Sequence, residues 1–205
     1  MKTHLLAPIL AATLLAVALP ACAKEGDIVV RTRVAHVAPE TDSQLSPAVG
    51  GHLTVDTNTI PEIDFSYYFT DHIAAELILA TGTRHHVVHK GALGDLGSVN
   101  LLPPTLTAQW HFNPDQAIDP YIGVGINYTR FMDNSLRGGS IHTERDSFGP
   151  ALQIGADYNL AGGWLLNVDV KKVWIQTDVT LAGTGKIDRL DIDPWIVSVG
   201  FGKKF

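Results

Sequence analysis

Eight stretches of this chain alternate large apolar residues with small or polar ones, and long and short connections separate them in strict turn. Alternation at period two belongs to β-strands, whose successive side chains point to opposite faces. The last stretch shows it most plainly. Counting back from Phe205, one parity reads Lys203, Phe201, Val199, Val197 and Trp195; the other reads Lys204, Gly202, Gly200, Ser198 and Ile196. The seven before it run Ile28–Val37, Ile60–Phe69, Ile73–Thr83, Val99–Phe112, Pro120–Phe131, Ser147–Asn159 and Trp164–Val179. Long connections fall at 38–58, 84–98, 132–146 and 180–190, and short ones at 70–71, 113–119 and 160–163.

An even strand number with that loop asymmetry predicts an all-β fold, an eight-stranded antiparallel transmembrane β-barrel with short periplasmic turns and long extracellular loops. A soluble barrel of eight strands would turn polar residues outward and apolar ones inward. Here one parity is filled by large apolar side chains, and the other carries Arg, Glu, Asp, Gln, Asn and Gly. Trp110, Phe112, Tyr158 and Trp164 all fall beside short connections, where an interfacial aromatic girdle belongs.

The first residues fit export. Lys2 and His4 precede an apolar run, Leu5–Leu19, and Ala21-Cys22-Ala23 suits a small-x-small cleavage site. The expected division is a cleaved leader over 1–23 and one barrel over 24–205. Cleavage removes the single cysteine, so the exported chain forms no internal disulfide. It also removes only Lys2 among the charged residues, leaving 15 − 1 = 14 basic against 21 acidic side chains. That balance excludes a nucleic-acid surface, which would be basic.

Four stretches, Thr70–Leu77, Leu102–Trp110, Pro120–Thr129 and Ile192–Trp195, resemble the OmpW family, which includes the AlkL-type proteins. The resemblance runs in order over nearly the whole exported chain. It implies a bacterial outer-membrane barrel, inserted by the assembly machinery that reads the C-terminal strand ending at Phe205. It also implies a role in admitting small hydrophobic molecules. Two residues depart from the family pattern: Lys203, where an aromatic is usual, and the inward Lys171, where an apolar or aromatic residue is expected.

Strand directions taken from the loop asymmetry sort the inward residues by height. Near the periplasm stand Arg31, Arg33, Glu62, Asp64, Glu76, Asp157 and Asp169, expected to form a salt-bridged polar plug because buried charges must pair. Toward the outside stand Ile78, Ala80, Leu101, Phe131, Val173, Ile175, Ile192 and Ile196, an expected apolar pocket with Lys171 in its lining. Pro61, Pro103, Pro104, Pro150 and Pro194 lack ladder donors near the outer ends of strands, which suggests a lateral opening in the wall. His85, His86 and His89 lie in the connection after the third strand, without ligand spacing for a metal, and are read as a solvated loop.

The resulting reading is a passive barrel without cofactor or metal, not an enzyme. It admits small hydrophobic solutes through the outer pocket and releases them sideways; outer-membrane lipid is its other partner. The alternatives are a receptor or adhesion scaffold acting through the extracellular loops, and an outer-membrane lipid-modifying enzyme. The last would need a nucleophile with a base in reach, for which Ser98 with His85 and Ser140 with His142 are the nearest pairs.

Overall fold

The computed structural model describes residues 23–43, 45, 50–80, 83–91, 94–132 and 135–205, with Thr83 and Ser135 as backbone only. The expected leader therefore lies outside the described residues except for Ala23. Eight strands form the wall: β1 Ile28–Ala38, β2 Asn58–Tyr68, β3 Ile73–Ala80, β4 Thr105–His111, β5 Ile118–Phe131, β6 Asp146–Asn159, β7 Trp164–Val173 and β8 Trp195–Lys204. Each pairs antiparallel with the next, and β1 pairs with both β2 and β8, so the ring closes. The closing seam runs from Val29↔Lys204 to Ala38↔Trp195. Beyond it, Ile28 and Phe205 exchange both backbone bonds, at 3.0 and 2.8 Å.

Parity decides which face each residue takes. Val34, Ile63, Phe65, Leu77, Val124 and Phe201 are exposed on the outside, where lipid covers them. Their strand neighbours Arg33, Glu62, Asp64 and Glu76 are buried inside. The small inward face of β8 is required by this arrangement. A Cβ on Gly202 would stand 2.8 Å from Arg31 Cγ, and one on Gly200 2.9 Å from Arg33 Cγ. The small residues leave room for two buried arginines.

Above the wall the long connections are largely folded, where the sequence reads as loops. Thr83–His89 and Gly94–Leu102 form a hairpin, and Leu53–Val55 pairs along its outer side. Ser135–Leu136, Ile141–Thr143, Gln176–Leu181, Gly185–Asp191 and Asp42–Ser43 make a second sheet in that order. Two expected strands accordingly break in two. Val99–Phe112 is interrupted at Pro103 and Pro104, and Trp164–Val179 at Trp174 and Ile175. At the second break the Ile175 N–H leaves the ladder and donates to Asp193 Oδ1 at 2.9 Å. The physical reason for the misreading is that these short strands bury apolar residues from both sheets, such as Leu96, Val99, Leu136, Val179 and Leu190, without a clean alternation.

Candidate functional site: a lumen in two storeys

The lower storey is built from the inward residues of β1, β2, β3, β6 and β7. Arg31 grips Asp157 with two bonds, Nε to Oδ1 at 3.2 Å and Nη2 to Oδ2 at 2.6 Å, and its Nη1 donates to Ser66 at 2.6 Å and Asp64 at 3.2 Å. Arg33 donates to Glu76 at 2.5 Å and Glu62 at 3.2 Å. Its Nε lies 3.1 Å from Asp64 Oδ2, close enough for attraction but off the line of a hydrogen bond. Gln153 then ties two acids together, donating to Glu76 and Asp169 at 2.7 Å each. All seven residues expected in the plug are buried and joined in this one network.

Beneath it, His111 Nδ1 meets Asp119 Oδ2 at 2.7 Å and its ring packs against Tyr68 and Tyr121, with centroids 4.9 and 5.0 Å away. An interior of eight strands is only just wide enough for such side chains. The described inward residues of this storey are buried.

Tyr121 was not singled out from the sequence, although it shares the inward parity of Gly123 and Gly125. Its hydroxyl donates to Asp169 at 2.9 Å and accepts from Asn167 at 3.0 Å. The signal that locates it is Gly155 directly across the β5–β6 ladder, where a Cβ would run into the Tyr121 ring.

Lys171 joins the two storeys. Its Nζ donates to Asp169 at 2.7 Å and Glu62 at 3.0 Å, so it belongs to the plug as well as to the lining above. An apolar residue at this position would leave Glu62 and Asp169 short of a partner; the departure is part of the ion network. Lys203, the other departure, donates to the Gly162 carbonyl, and its Nζ sits 5.0 Å from the centroid of the Trp164 ring. It is a cation resting on the periplasmic aromatic girdle with its polar tip in a turn.

The upper storey is a cavity of about 620 Å³ of space between atoms, its open mouth included. Eight of the nine residues expected in the lining stand on its wall: Ile78, Ala80, Leu101, Lys171, Val173, Ile175, Ile192 and Ile196. Phe131 does not. It is buried higher, in the apolar cluster that packs the outer sheets together. Val37, Val55 and Ile60 complete the apolar wall, and Glu62, Thr105, Asn127 and His85 add polar atoms.

The five prolines do not share one gap. Pro61 sits within the β1–β2 ladder opposite Val34. The carbonyls of Pro150 and Pro194 accept from Trp174 at 3.1 Å and Val173 at 3.2 Å, bridging their seams. Pro103 and Pro104 differ. The described β3–β4 pairs stop at Ile78↔Thr105, and the outer hairpin pairs from Thr83↔Leu101, with Pro103 and Pro104 between. Ile78, Ala80, Leu101, Pro103 and Thr105 all line the cavity, so the broken ladder is its side wall.

The histidines are not a solvated loop. His85 and His89 are buried on the strand Thr83–His89, because that segment pairs on both sides and turns its odd-numbered residues inward. His85 Nδ1 bonds to the Asp56 carbonyl at 2.9 Å and His89 Nε2 to the Gly50 carbonyl at 2.8 Å. His86 is exposed beside Ser98 and Asp95. Ser98 Oγ stands 3.3 and 3.4 Å from its two ring nitrogens, nearly the same distance from each. Asp95 is 4.0 Å away, and such a set aligns no proton relay. The described residues contain no group of three His, Cys, Asp or Glu placed to share a metal ion.

The OmpW family profile matches residues 24–205. Outer membrane protein W of Salmonella typhimurium is 40% identical over 167 residues, covering 76% of this chain and 78% of its own length. The chain belongs to the OmpW family. The crystal structure of the outer membrane protein OprG from Pseudomonas aeruginosa superposes with a TM-score of 0.80 at 35% identity, covering 89% of this chain and 97% of that one. A more distant relative, the dibenzothiophene metabolism operon protein PahQ of Pseudomonas aeruginosa, is 26% identical over 94% of this chain and 95% of its own. This OmpW-family chain is thus an outer-membrane β-barrel, and its exposed apolar belt is the lipid-facing surface.

Proposed function

We propose that the upper cavity takes up small hydrophobic solutes from outside and passes them sideways through the β3–β4 seam into the outer membrane. One observation carries this reading: an apolar cavity stands over a floor of paired charges, and its side wall is the one described place where a proline pair interrupts the ladder. A solute entering from above cannot continue downward without prising apart those buried ion pairs, which is costly. The way out that asks least is the wall. The dibenzothiophene operon membership in PahQ's name agrees with an apolar cargo. Within this reading the protein is a passive conduit and not an enzyme, residues 1–23 are the cleaved leader, and the strand ending at Phe205 is the signal for the assembly machinery.

The test uses outer-membrane vesicles and a naphthylamine dye that fluoresces once it reaches the lipid. Ala80→Phe, which fills the cavity beside the seam, slows dye entry toward the protein-free rate, at a stability cost of about 1–3 kcal/mol for overpacking. Pro103→Val with Pro104→Val returns a ladder donor toward β3 at position 103 and also slows entry. Heat-dependent gel mobility reports that both variants are folded. Undiminished entry in a folded Ala80→Phe protein rules the cavity out. A scaffold role for the extracellular segments is the second reading, favoured by their order in a five-stranded sheet. It predicts binding to a partner that survives Ala80→Phe.

A further inference from the structure

The polar atoms around the cavity are almost all spent on the wall itself. Asn127 Nδ2 donates to Thr105 Oγ1 at 2.8 Å, and its Oδ1 accepts from Thr129 at 2.6 Å. Thr105 Oγ1 in turn donates to the Pro103 carbonyl at 3.2 Å. Lys171 is held by Glu62 and Asp169.

His85 is the exception. Its Nδ1 faces a backbone carbonyl, which only accepts, so in the neutral ring Nδ1 carries the proton and Nε2 presents a bare lone pair. The residue is only 2% exposed and lines the cavity, yet Nε2 has no hydrogen-bond partner among the described residues and is not sealed in. At the floor, Glu62 accepts from Arg33 and Lys171 through Oε1 alone; Oε2 likewise keeps accessible surface and has no hydrogen-bond partner among the described residues. Both of these positions are acceptors; Lys171, with three N–H groups, gives two of them to Glu62 and Asp169.

Charge points the same way. The ion network beneath the cavity sets three basic groups, Arg31, Arg33 and Lys171, against five carboxyls, Glu62, Asp64, Glu76, Asp157 and Asp169, so acids outnumber bases there. An anionic head would be repelled from the floor despite Lys171, whereas a hydrogen-bond donor is welcome.

We propose that the solute of this cavity is an apolar molecule bearing a hydroxyl group, which it donates to His85 Nε2. The inference rests on the uptake reading above and narrows it from hydrophobic solutes in general to hydroxylated ones. An alcohol or phenol fits; an alkane leaves the imidazole nitrogen dry and unpaired, and a carboxylate meets the negative floor. A buried acceptor left unpaired costs enough to discriminate between otherwise equal ligands.

The experiment compares two isomers, 1-heptanol and 1-methoxyhexane, binding to the full folded chain in lipid nanodiscs, each corrected for partition into empty discs. Sodium heptanoate is the anionic control. Nitrogen-15 imidazole signals report the site. The alcohol should bind roughly three- to ten-fold more tightly than the ether and move the His85 Nε2 signal, as expected for one added hydrogen bond. In His85→Phe the ratio between isomers should fall to one, while His85→Gln, which keeps an acceptor, retains part of it. Heat-dependent gel mobility confirms that each variant is folded. Equal binding of the two isomers to the native chain overturns the proposal, as does a preference that survives His85→Phe or tighter binding of heptanoate. If none of the three binds, the uptake reading falls and this inference with it; if the isomers bind without discrimination, only this inference falls.

Discussion

The lower and upper storeys of the lumen come from the same strands and the same inward parity, yet their chemistry is opposite. Below, Arg31, Arg33, Glu62, Asp64, Glu76, Asp157, Asp169 and Lys171 are buried against one another in one ion network. Above, Ile78, Ala80, Val173, Ile175 and Ile192 leave a cavity. Two kinds of burial follow. Paired charges are directional and close tightly, because each bond fixes the next side chain. Aliphatic side chains carry no directional bonds of that kind, and here their wall encloses open space. The difference teaches that one inward parity can hold a paired-charge network at one height and an apolar cavity at the next.

That contrast can be broken from below. Arg33→Met leaves Glu62, Asp64 and Glu76 each short of a buried partner and should cost about 3–5 kcal/mol. Urea unfolding in lipid vesicles measures it. A loss under about 1 kcal/mol would mean that water already reaches the lower storey and that the charges there are solvated.

Removing the link between the storeys has a smaller effect. Lys171→Met leaves Glu62 still bonded to Arg33 and Asp169 still bonded to Tyr121 and Gln153. The cost should be about 1–3 kcal/mol. The same unfolding assay decides whether Lys171 belongs energetically to the plug, and a gain in stability would place it with the cavity instead.

The smallest effect is expected outside the membrane, in the outer sheet. Burial pushes the Asp191 carboxyl up, and the neighbouring Asp193 charge adds to it. A carboxyl raised in the folded state is destabilising when ionised; the penalty shrinks as the pH falls below its folded pKa and is gone below the ordinary carboxyl value. Asp191→Asn should therefore slow hydrogen exchange of the Gly185–Asp191 strand at neutral pH, by under about 1 kcal/mol for so partly exposed a group. At acidic pH the variant and the native chain should exchange alike. A difference that persists there would assign the effect to packing.

Much of the wall was legible in the sequence because lipid and lumen impose opposite demands on alternate residues. The parity of Val199 and Phe201 against Gly200 and Gly202 survives any small error in strand ends. The plug was legible for the same reason: charged residues on an inward face have no water to turn to and must pair. The extracellular sheet was not, since its strands pack apolar residues from two sheets and carry long polar turns. His85 and His89 were misplaced with it, for burial there depends on Leu53–Val55 arriving from a distant part of the chain. Pro61, Pro150 and Pro194 looked like breaks in the ladder, but the missing donors are offset by carbonyls that accept from Trp174 and Val173 or by the unbroken β1–β2 pairing.

The sequence by itself determined the barrel, its orientation toward lipid and the division of the lumen into charged and apolar heights. These follow from local periodicity and from the cost of placing a charge in an apolar medium. Only the tertiary structure decided that Lys171 bridges the two heights, that the ladder breaks beside the cavity at Pro103 and Pro104, and that His85 turns an unpaired nitrogen into the pocket. Each of those depends on which strand ends meet across the ring. That register is set by the pairing of all eight strands at once, and no single stretch encodes it.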